Sequence, residues 1–442
     1  GEEKERRREK EREKGRDKMT KRTFVFAVIL IICASFSLTQ EKSPSVIAIK
    51  GANIIPVVGE DITEGTILIK NGLIEAVGKT IDIPQDAIII DAQGLFAYPG
   101  MIDGSCYLGL EEISSISATV DYRETGRINP QVKTVEALRP DSMHIPISRS
   151  NGITAALVAP SAGLISGQSG LIRLVGWTPE EMIIKSSVAM HIQFPSLPRL
   201  RRRRETQPRE QASKQVKELK EILNQARYYQ KRKNAAKKNL GLHLPEFDEK
   251  LEFLLPVVNG ELPVMISVHA DNDIKAAIKF VKDEKLKAIF SGVTDGWKVA
   301  EDIKKSGIPV IFGSLNSVPP KWEDGYDAFY RNPGVLAKAG VKFAFSSASA
   351  SLAKDLPYHA AKAAAFGLDK KEALKGVTIY PAQIFGVDKM MGSLEKGKVA
   401  NIVLADGDIL ELRTNIKHVF IDGKEVDLSS IYTELLEKFK KR

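Results

Sequence analysis

Apolar and polar positions alternate in three distinct ways along this chain. Between Val46 and Leu95 the apolar runs are short and bounded by Gly, Pro and Asp: VIAIKGANII, GTILIKNGLIEAVG and AIIIDAQGLF. Asn71-Gly72 separates two of these runs and is a strong two-residue hairpin signal, because a tight hairpin turn needs residues that tolerate positive φ. A small antiparallel sheet is predicted. Gly392–Val426 repeats the character, with GSLEKGKVANIVLADGDI, IKHVFIDGKEV and an Asp422-Gly423 turn. Neither segment can bury a stable core alone, so residues 46–97 and 386–430 are expected to pair.

Between them, apolar strands alternate with helical stretches. The strands are ITAALVAP from Ile153, VMISVHA from Val264, KAIFSG from Lys287, PVIFG from Pro309 and VKFAFSS from Val341. The intervening Asp273–Asp283 and Trp297–Ser306 read as helices. This order predicts βα units and a parallel sheet, and residues 98–385 suffice for an eight-unit barrel. LIRLVGW and MIIKSSVAMHIQF, within Leu171–Phe194, are the candidates for the third and fourth units. ISGQSG at Ile165–Gly170 lacks the Lys and Ser/Thr of a phosphate loop and reads as a turn. Residues 195–256 form an insertion. Its Pro208–Asn239 stretch carries a one-sided stripe of Val216, Leu219, Leu223 and Ala226 among Lys and Arg, which predicts an amphipathic helix. The run Arg201–Arg204 reads as a loop, and residues 431–442 as a terminal helix or tail.

Charge changes this picture only locally. The formal net charge is +9, but Arg199–Lys238 holds fifteen basic and four acidic residues, and outside this segment and the first 22 residues the chain is net acidic at about −6. That argues against a nucleic-acid surface. The basic segment is expected to be a solvated helix over one side of the barrel mouth, or a docking surface for an acidic partner or anionic headgroups. Gly1–Lys18 has no apolar residue and reads as a non-native or mis-assigned leader. Residues 19–39 have a signal-peptide layout, Lys21 and Arg22 before an apolar run at Phe24–Ala34, so an exported, periplasmic or extracellular protein is expected. Removing that segment takes Cys33 and leaves Cys106, expected as a core thiol, so a cysteine zinc site is excluded.

Several stretches together are similar to the imidazolonepropionase-like subgroup of the amidohydrolase superfamily. They are YPGMID at Tyr98–Asp103, VHADND at Val268–Asp273, SGVTDGWKVAEDIKKSGIPVIFG from Ser291, FSSAS at Phe345–Ser349 and ALKGVTIYPAQIFGVDKMMGSLEKGKVANIVLADGD from Ala373. The resemblance implies an α/β fold: a TIM-like (β/α)8 barrel with a composite β-sandwich from the terminal segments. It also implies metal-dependent hydrolysis of non-peptide C–N bonds. Zinc or another divalent ion would be held by two histidines on strand one, one each on strands five and six, and an aspartate on strand eight. Some members add a lysine carbamate or glutamate on strand four. The metal lowers the pKa of its water, and the aspartate takes the proton.

In this chain the strand-one positions are Ser105 and Tyr107. Strand five keeps His269. Strand six has Ser291 or Gly292, and strand eight has Ala348. Lys185 falls near strand four. One retained ligand cannot hold zinc, so loss of the metal is expected. His269 then reads as a polar residue satisfied by Ser291 or Tyr107. Asp103, Asp271, Ser346 and Ser347 are candidate pocket residues. The other histidines, His144, His191, His243, His359 and His418, read as structural or exposed. Glu111, Glu112, Asp121 and Glu124 could form a substitute acidic metal site, against a default of a solvated loop. Three functional readings stand. The favoured one is a catalytically degenerate member acting as a partner subunit, beside a homologous active amidohydrolase or as a homodimer. The others are an active hydrolase of cyclic amides or amidines with a divergent site, and a small-ligand binding protein using the empty barrel mouth.

Overall fold

The computed structural model describes residues 46–196, 207–239, 241–316, 318 and 322–441. The leader, the signal-peptide segment and residues 197–206, with the Arg201–Arg204 run, lie outside the described residues. Among those described, no helix is long and apolar enough to cross a membrane.

The terminal segments join in one hydrogen-bonded sheet. β1 (Val46–Ile54) pairs antiparallel with β2 (Ile62–Lys70), which turns into β3 (Leu73–Gly78). The turn holds Asn71 at φ 52° and Gly72 at φ 82°, the positive pair expected of a two-residue hairpin. β4 (Ile88–Asp91) and β5 (Phe96–Pro99) run parallel to β1. From the far end of the chain, β14 (Ile402–Ala405) adds antiparallel to β5, followed by β15 (Ile416–Ile421) and β16 (Lys424–Glu425). The composite β-domain expected from the resemblance is thus joined by one hydrogen-bonded path through strands of both ends. Ile49, Ile54, Ile67, Ile69, Leu404 and Phe420 are fully buried on it or nearly so, drawn from both ends of the chain. That shared core is why neither half needs to be stable alone.

The second sheet is the barrel, ordered β6 to β13. Its strands are β6 (Met101–Cys106), β7 (Ile153–Val158), β8 (Ile165–Arg173), β9 (Ile183–Gln193), β10 (Val264–Val268), β11 (Ala288–Gly292), β12 (Val310–Phe312) and β13 (Phe343–Phe345). All pairs are parallel except those made by β8, which is antiparallel to both β7 and β9. Two expectations are corrected here. The sheet is not wholly parallel, and ISGQSG is the first part of β8 rather than a turn. The connections on either side of β8 are too short for a crossover helix, so the strand must reverse. The glycines serve packing: a Cβ at Gly167 would lie 2.7 Å from the Val132 carbonyl oxygen, and one at Gly170 would overlap the Val135 side chain. They admit the segment before the short helix Thr134–Ala137 onto the strand.

The barrel is nearly closed, its first and last strands bridged by residues beside them rather than by a ladder. Ala348 N–H donates to the Ser105 carbonyl at 3.0 Å, and Ile102 N–H to that of Val377 at 2.8 Å. A Cβ at Gly104 would sit 2.6 Å from the Phe345 carbonyl oxygen, so only glycine permits this approach.

The insertion contributes the helices Gln207–Lys238 and Glu249–Val258. Leu219, Leu223 and Ala226 are buried, as the apolar stripe required. The long helix runs along the barrel flank, with Glu218 near the loop that follows β6 and Arg227 near the opposite end. Arg227 bonds Glu284, at the C-terminal end of the helix Asp271–Glu284, whose first residue follows β10 at the mouth. Lys233 bonds Glu252 at 2.6 Å, and Glu218 takes Arg127 at 3.1 Å. Part of the basic charge is therefore answered within the chain.

Candidate functional site

In the middle of β6, Asp103 is completely buried. Its carboxylate accepts from Ser105 N–H at 3.1 Å, Ser347 N–H at 3.1 Å and the Ser347 hydroxyl at 2.5 Å. Burial outweighs these bonds and pushes its pKa up to about 7. Ser346 donates its hydroxyl to the Phe312 carbonyl at 2.8 Å. Ser105 contributes backbone groups to this closure. Asp103, Ser346 and Ser347 are therefore brought together, but as a sealed network tying β6 to β13 and not as pocket lining. Asp271 stands apart as the first residue of its helix, where a carboxylate suits the positive end of the dipole.

Tyr107 is stacked on Tyr122, with ring centroids 3.9 Å apart. Burial raises its phenol pKa, which opposes the phenolate form needed to bind a metal. Cys106 is buried and unpaired, with its thiol pKa raised by burial, the expected core thiol.

Across the mouth the arrangement is open. His269 follows β10, and its Nδ1 lies 3.1 Å from the Thr294 hydroxyl, which replaces the expected partners Ser291 and Tyr107. The ring is open to a cavity, yet packing around it lowers its pKa against the opposing pull of Asp273 and Asp295. Gly292, at φ 92°, ends β11 beneath this ring. A Cβ there would overlap His269 Cε1. Of the two positions, Ser291 or Gly292, at which the resemblance calls for a second imidazole, the latter has the His269 ring packed against it. The next residue, Val293, takes φ 45°, a strained conformation for a β-branched side chain. It is held by Val293 N–H to the Val268 carbonyl at 2.7 Å and by Asn332 Nδ2 to its own carbonyl at 2.9 Å. Ala348, at φ 51°, completes this wall.

The cavity measures about 340 Å³ and is lined by His269, Gly292, Thr294, Phe312, Leu315, Phe329, Asn332 and Ala348 among others. No Asp, Glu, Lys or Arg among the described residues lines it. Leu315 is fixed from behind by His359, whose Nδ1 accepts from Leu315 N–H at 3.2 Å. Burial depresses the His359 pKa to about 4, so this imidazole is neutral. Thr294, Phe312, Leu315, Phe329 and Asn332 were not singled out by sequence. The positive φ at Val293 is the signal that marks the loop, and it is visible only in the backbone. A second cavity of about 430 Å³ lies on the barrel flank, where Lys133, Gln168, Glu252 and Phe253 meet. Its Glu252 is already taken by Lys233.

The donor set does not fit a divalent metal. Among the described residues, no three His, Cys, Asp or Glu side chains form a group that could hold one. Lys185 is at the start of β9, far from the mouth end, with its ammonium on the Phe385 carbonyl at 3.0 Å. The acidic loop after β6 does not assemble a substitute site. Glu112 instead accepts from Met143 N–H at 3.3 Å, and its carbonyl meets His144 Nε2 at 3.0 Å.

Comparison with known proteins places these observations. The family model described as "Amidohydrolase family" matches residues 264–426. The chain is 24% identical over 390 residues to a protein named "Amidohydrolase tasK" from Hapsidospora irregularis, covering 81% of this chain and 39% of that one. It is 24% identical over 412 residues to an adenine deaminase from Desulforamulus reducens, covering 90% and 60% respectively. The chain thus spans less than two thirds of the length of these curated relatives. Among solved structures, an amidohydrolase from Thermotoga maritima superposes with a TM-score of 0.77 at 26% identity, covering 86% of this chain and 99% of that chain.

Proposed function

Since this chain belongs to the amidohydrolase superfamily, we propose that it is a member without the metal-dependent hydrolytic step, acting as a non-catalytic binding or partner subunit. The observation that carries this reading is the fit of the His269 ring over Gly292. Neither candidate for the strand-six ligand position, Ser291 or Gly292, offers an imidazole, and the strand-five ring lies against Gly292. With Ala348 on strand eight there is also no carboxylate to take a proton from water at that place. The retained frame and the lost donors point the same way.

A second reading is supported by the cavity itself. Its wall is largely apolar and none of the side chains lining it is a carboxylate, ammonium or guanidinium. A small uncharged ligand would suit it. The test is a thermal-shift screen of small neutral heterocycles and cyclic amides, followed by product analysis of every binder. Binding without turnover supports the proposal. Hydrolysis of any binder, lost in Gly292→Ala, would overturn it.

A further inference from the structure

The inner face of the barrel changes character towards the mouth. Met265, Ile289 and Ile311 belong to the apolar core that also takes Ile102, Leu157 and Leu171 from other strands of the barrel. Residues in register on neighbouring strands share a face, and so do residues two apart on one strand. Met265 is in register with His191 and Ile289, and Ser267 with Gln193 and Ser291. His191 therefore lies on the inner face of β9. One step nearer the mouth, Gln193, Ser267 and Ser291 form an arc on that face across β9, β10 and β11. All three are half-buried. Among the described residues, none of their side chains has a hydrogen-bond partner.

A second, independent observation lies beneath the arc. His191 is only 6% exposed, and its Nε2 is buried without a hydrogen-bond partner. Burial lowers its pKa to about 3, so the imidazole is neutral. Ser166 stands between the residues of β8 that pair with Ile192 and His191, and its buried hydroxyl also lacks a partner. Leaving such an atom unsatisfied costs about 1–3 kcal/mol, so native folds hold few of them. Two on adjacent strands, below an arc with no partners of its own, mark a face built to bond something beyond the chain.

The chemistry of the arc indicates what that is. From Ala189, Met265 and Ile289 to the mouth, the inner positions of β9, β10 and β11 carry no Asp, Glu, Lys or Arg. Each serine hydroxyl both donates and accepts, and the Gln193 carboxamide offers one acceptor and one donor group side by side, a match for two adjacent hydroxyls. Neighbouring strands stand ~4.8 Å apart, close to the separation of hydroxyls on alternate carbons of a six-membered ring. Ile311, in register with Ser291, continues the row as an apolar position suited to the C–H face of such a ring. We propose that the Gln193–Ser267–Ser291 arc binds a small uncharged polyol, a cyclitol or monosaccharide, with its ring hydroxyls held across three strands. This rests on the reading of the chain as a binding member without the hydrolytic step. A polyol has no C–N bond to cleave, so the two are tested by different readouts.

The experiment is calorimetric titration of the full chain with myo-inositol and with glucose, beside Gln193→Ala, Ser267→Ala and Ser291→Ala. Saturable binding of at least one of the two is expected. Gln193→Ala should weaken it about tenfold, and each serine variant about threefold. The side chains removed are half-buried and unbonded, so an unchanged melting temperature confirms that each variant is folded. In the wild-type chain the His191 imidazole nitrogen resonances should shift as the arc fills, a response absent from Gln193→Ala at the same polyol concentration. The proposal is overturned if neither polyol binds at millimolar concentration, or if binding is indifferent to all three substitutions. It is equally overturned if hydantoin, a cyclic amide, binds through the arc and the polyols do not. Metal-dependent hydrolysis of hydantoin, seen by product analysis rather than in these titrations, would instead remove the reading on which the proposal rests.

Discussion

The two halves of the barrel mouth are built in opposite ways. On the β6–β13 side the space is sealed. Asp103 is buried under Ser347 and Ser105, and the backbone of Ala348 bonds that of Ser105. On the β10–β12 side a cavity persists, with His269 on its wall and strained backbone at Val293. The difference teaches where the frame is constrained. Where the first and last strands approach, the polar groups of Asp103, Ser347, Ser105 and Ala348 are spent on bonds across the seam. The loops after β10 and β11 carry no such seam, and a pocket lies there.

The most severe way to break this contrast is at the seam. Gly104→Ala sets a methyl group against the Phe345 carbonyl at 2.6 Å. A loss of about 3 kcal/mol in denaturant unfolding, or failure to fold, is expected. A change under about 0.5 kcal/mol would mean that the seam yields easily. Next is the cavity floor. Gly292→Ala forces the His269 ring from Thr294 and should cost about 1–3 kcal/mol. His269→Ala in the same chain should recover part of that cost, and a double-mutant cycle reads the coupling. Additive effects would show that the ring and the glycine do not compete.

A subtler contrast concerns pH. The folded Asp103 pKa is raised from 3.8 to about 7. The native state therefore holds a proton that the unfolded chain has released across this window. Stability from this group is present below about pH 4 and declines as pH rises towards 7. Asp103→Asn should flatten that decline in melting temperature measured between pH 4 and 8. An unchanged slope would assign the effect to another group. The smallest effect is expected for Thr294→Val, which removes one bond to a ring open to the cavity and should cost about 1 kcal/mol or less.

Much of this was legible in the sequence, and the exceptions have physical reasons. Asn71-Gly72 and Asp422-Gly423 announced their turns, because few residues accept positive φ at both positions. The Tyr98–Asp103 and Val268–Asp273 stretches placed β6 and β10 and brought His269 to the mouth. ISGQSG misled because glycine carries two meanings: at Gly167 and Gly170 it marks close approach of a neighbouring segment to a strand. Of the candidate pocket residues, Asp103, Ser346 and Ser347 lie at one seam and Asp271 lies elsewhere, and their roles depend on burial and bond direction, which a linear pattern does not carry. The cavity wall was missed for a related reason. Phe312, Phe329 and Asn332 look like ordinary core positions until the fold turns them towards one space.

The measurement that bears most directly on the central claim is the metal content of the purified protein, by elemental analysis after dialysis against trace zinc and removal of free ion. A single imidazole beside a glycine and an alanine predicts less than about a tenth of an equivalent, unchanged in His269→Ala, since a zinc site needs three protein ligands or more. Near-stoichiometric zinc that disappears in His269→Ala would contradict the account and restore a metallohydrolase.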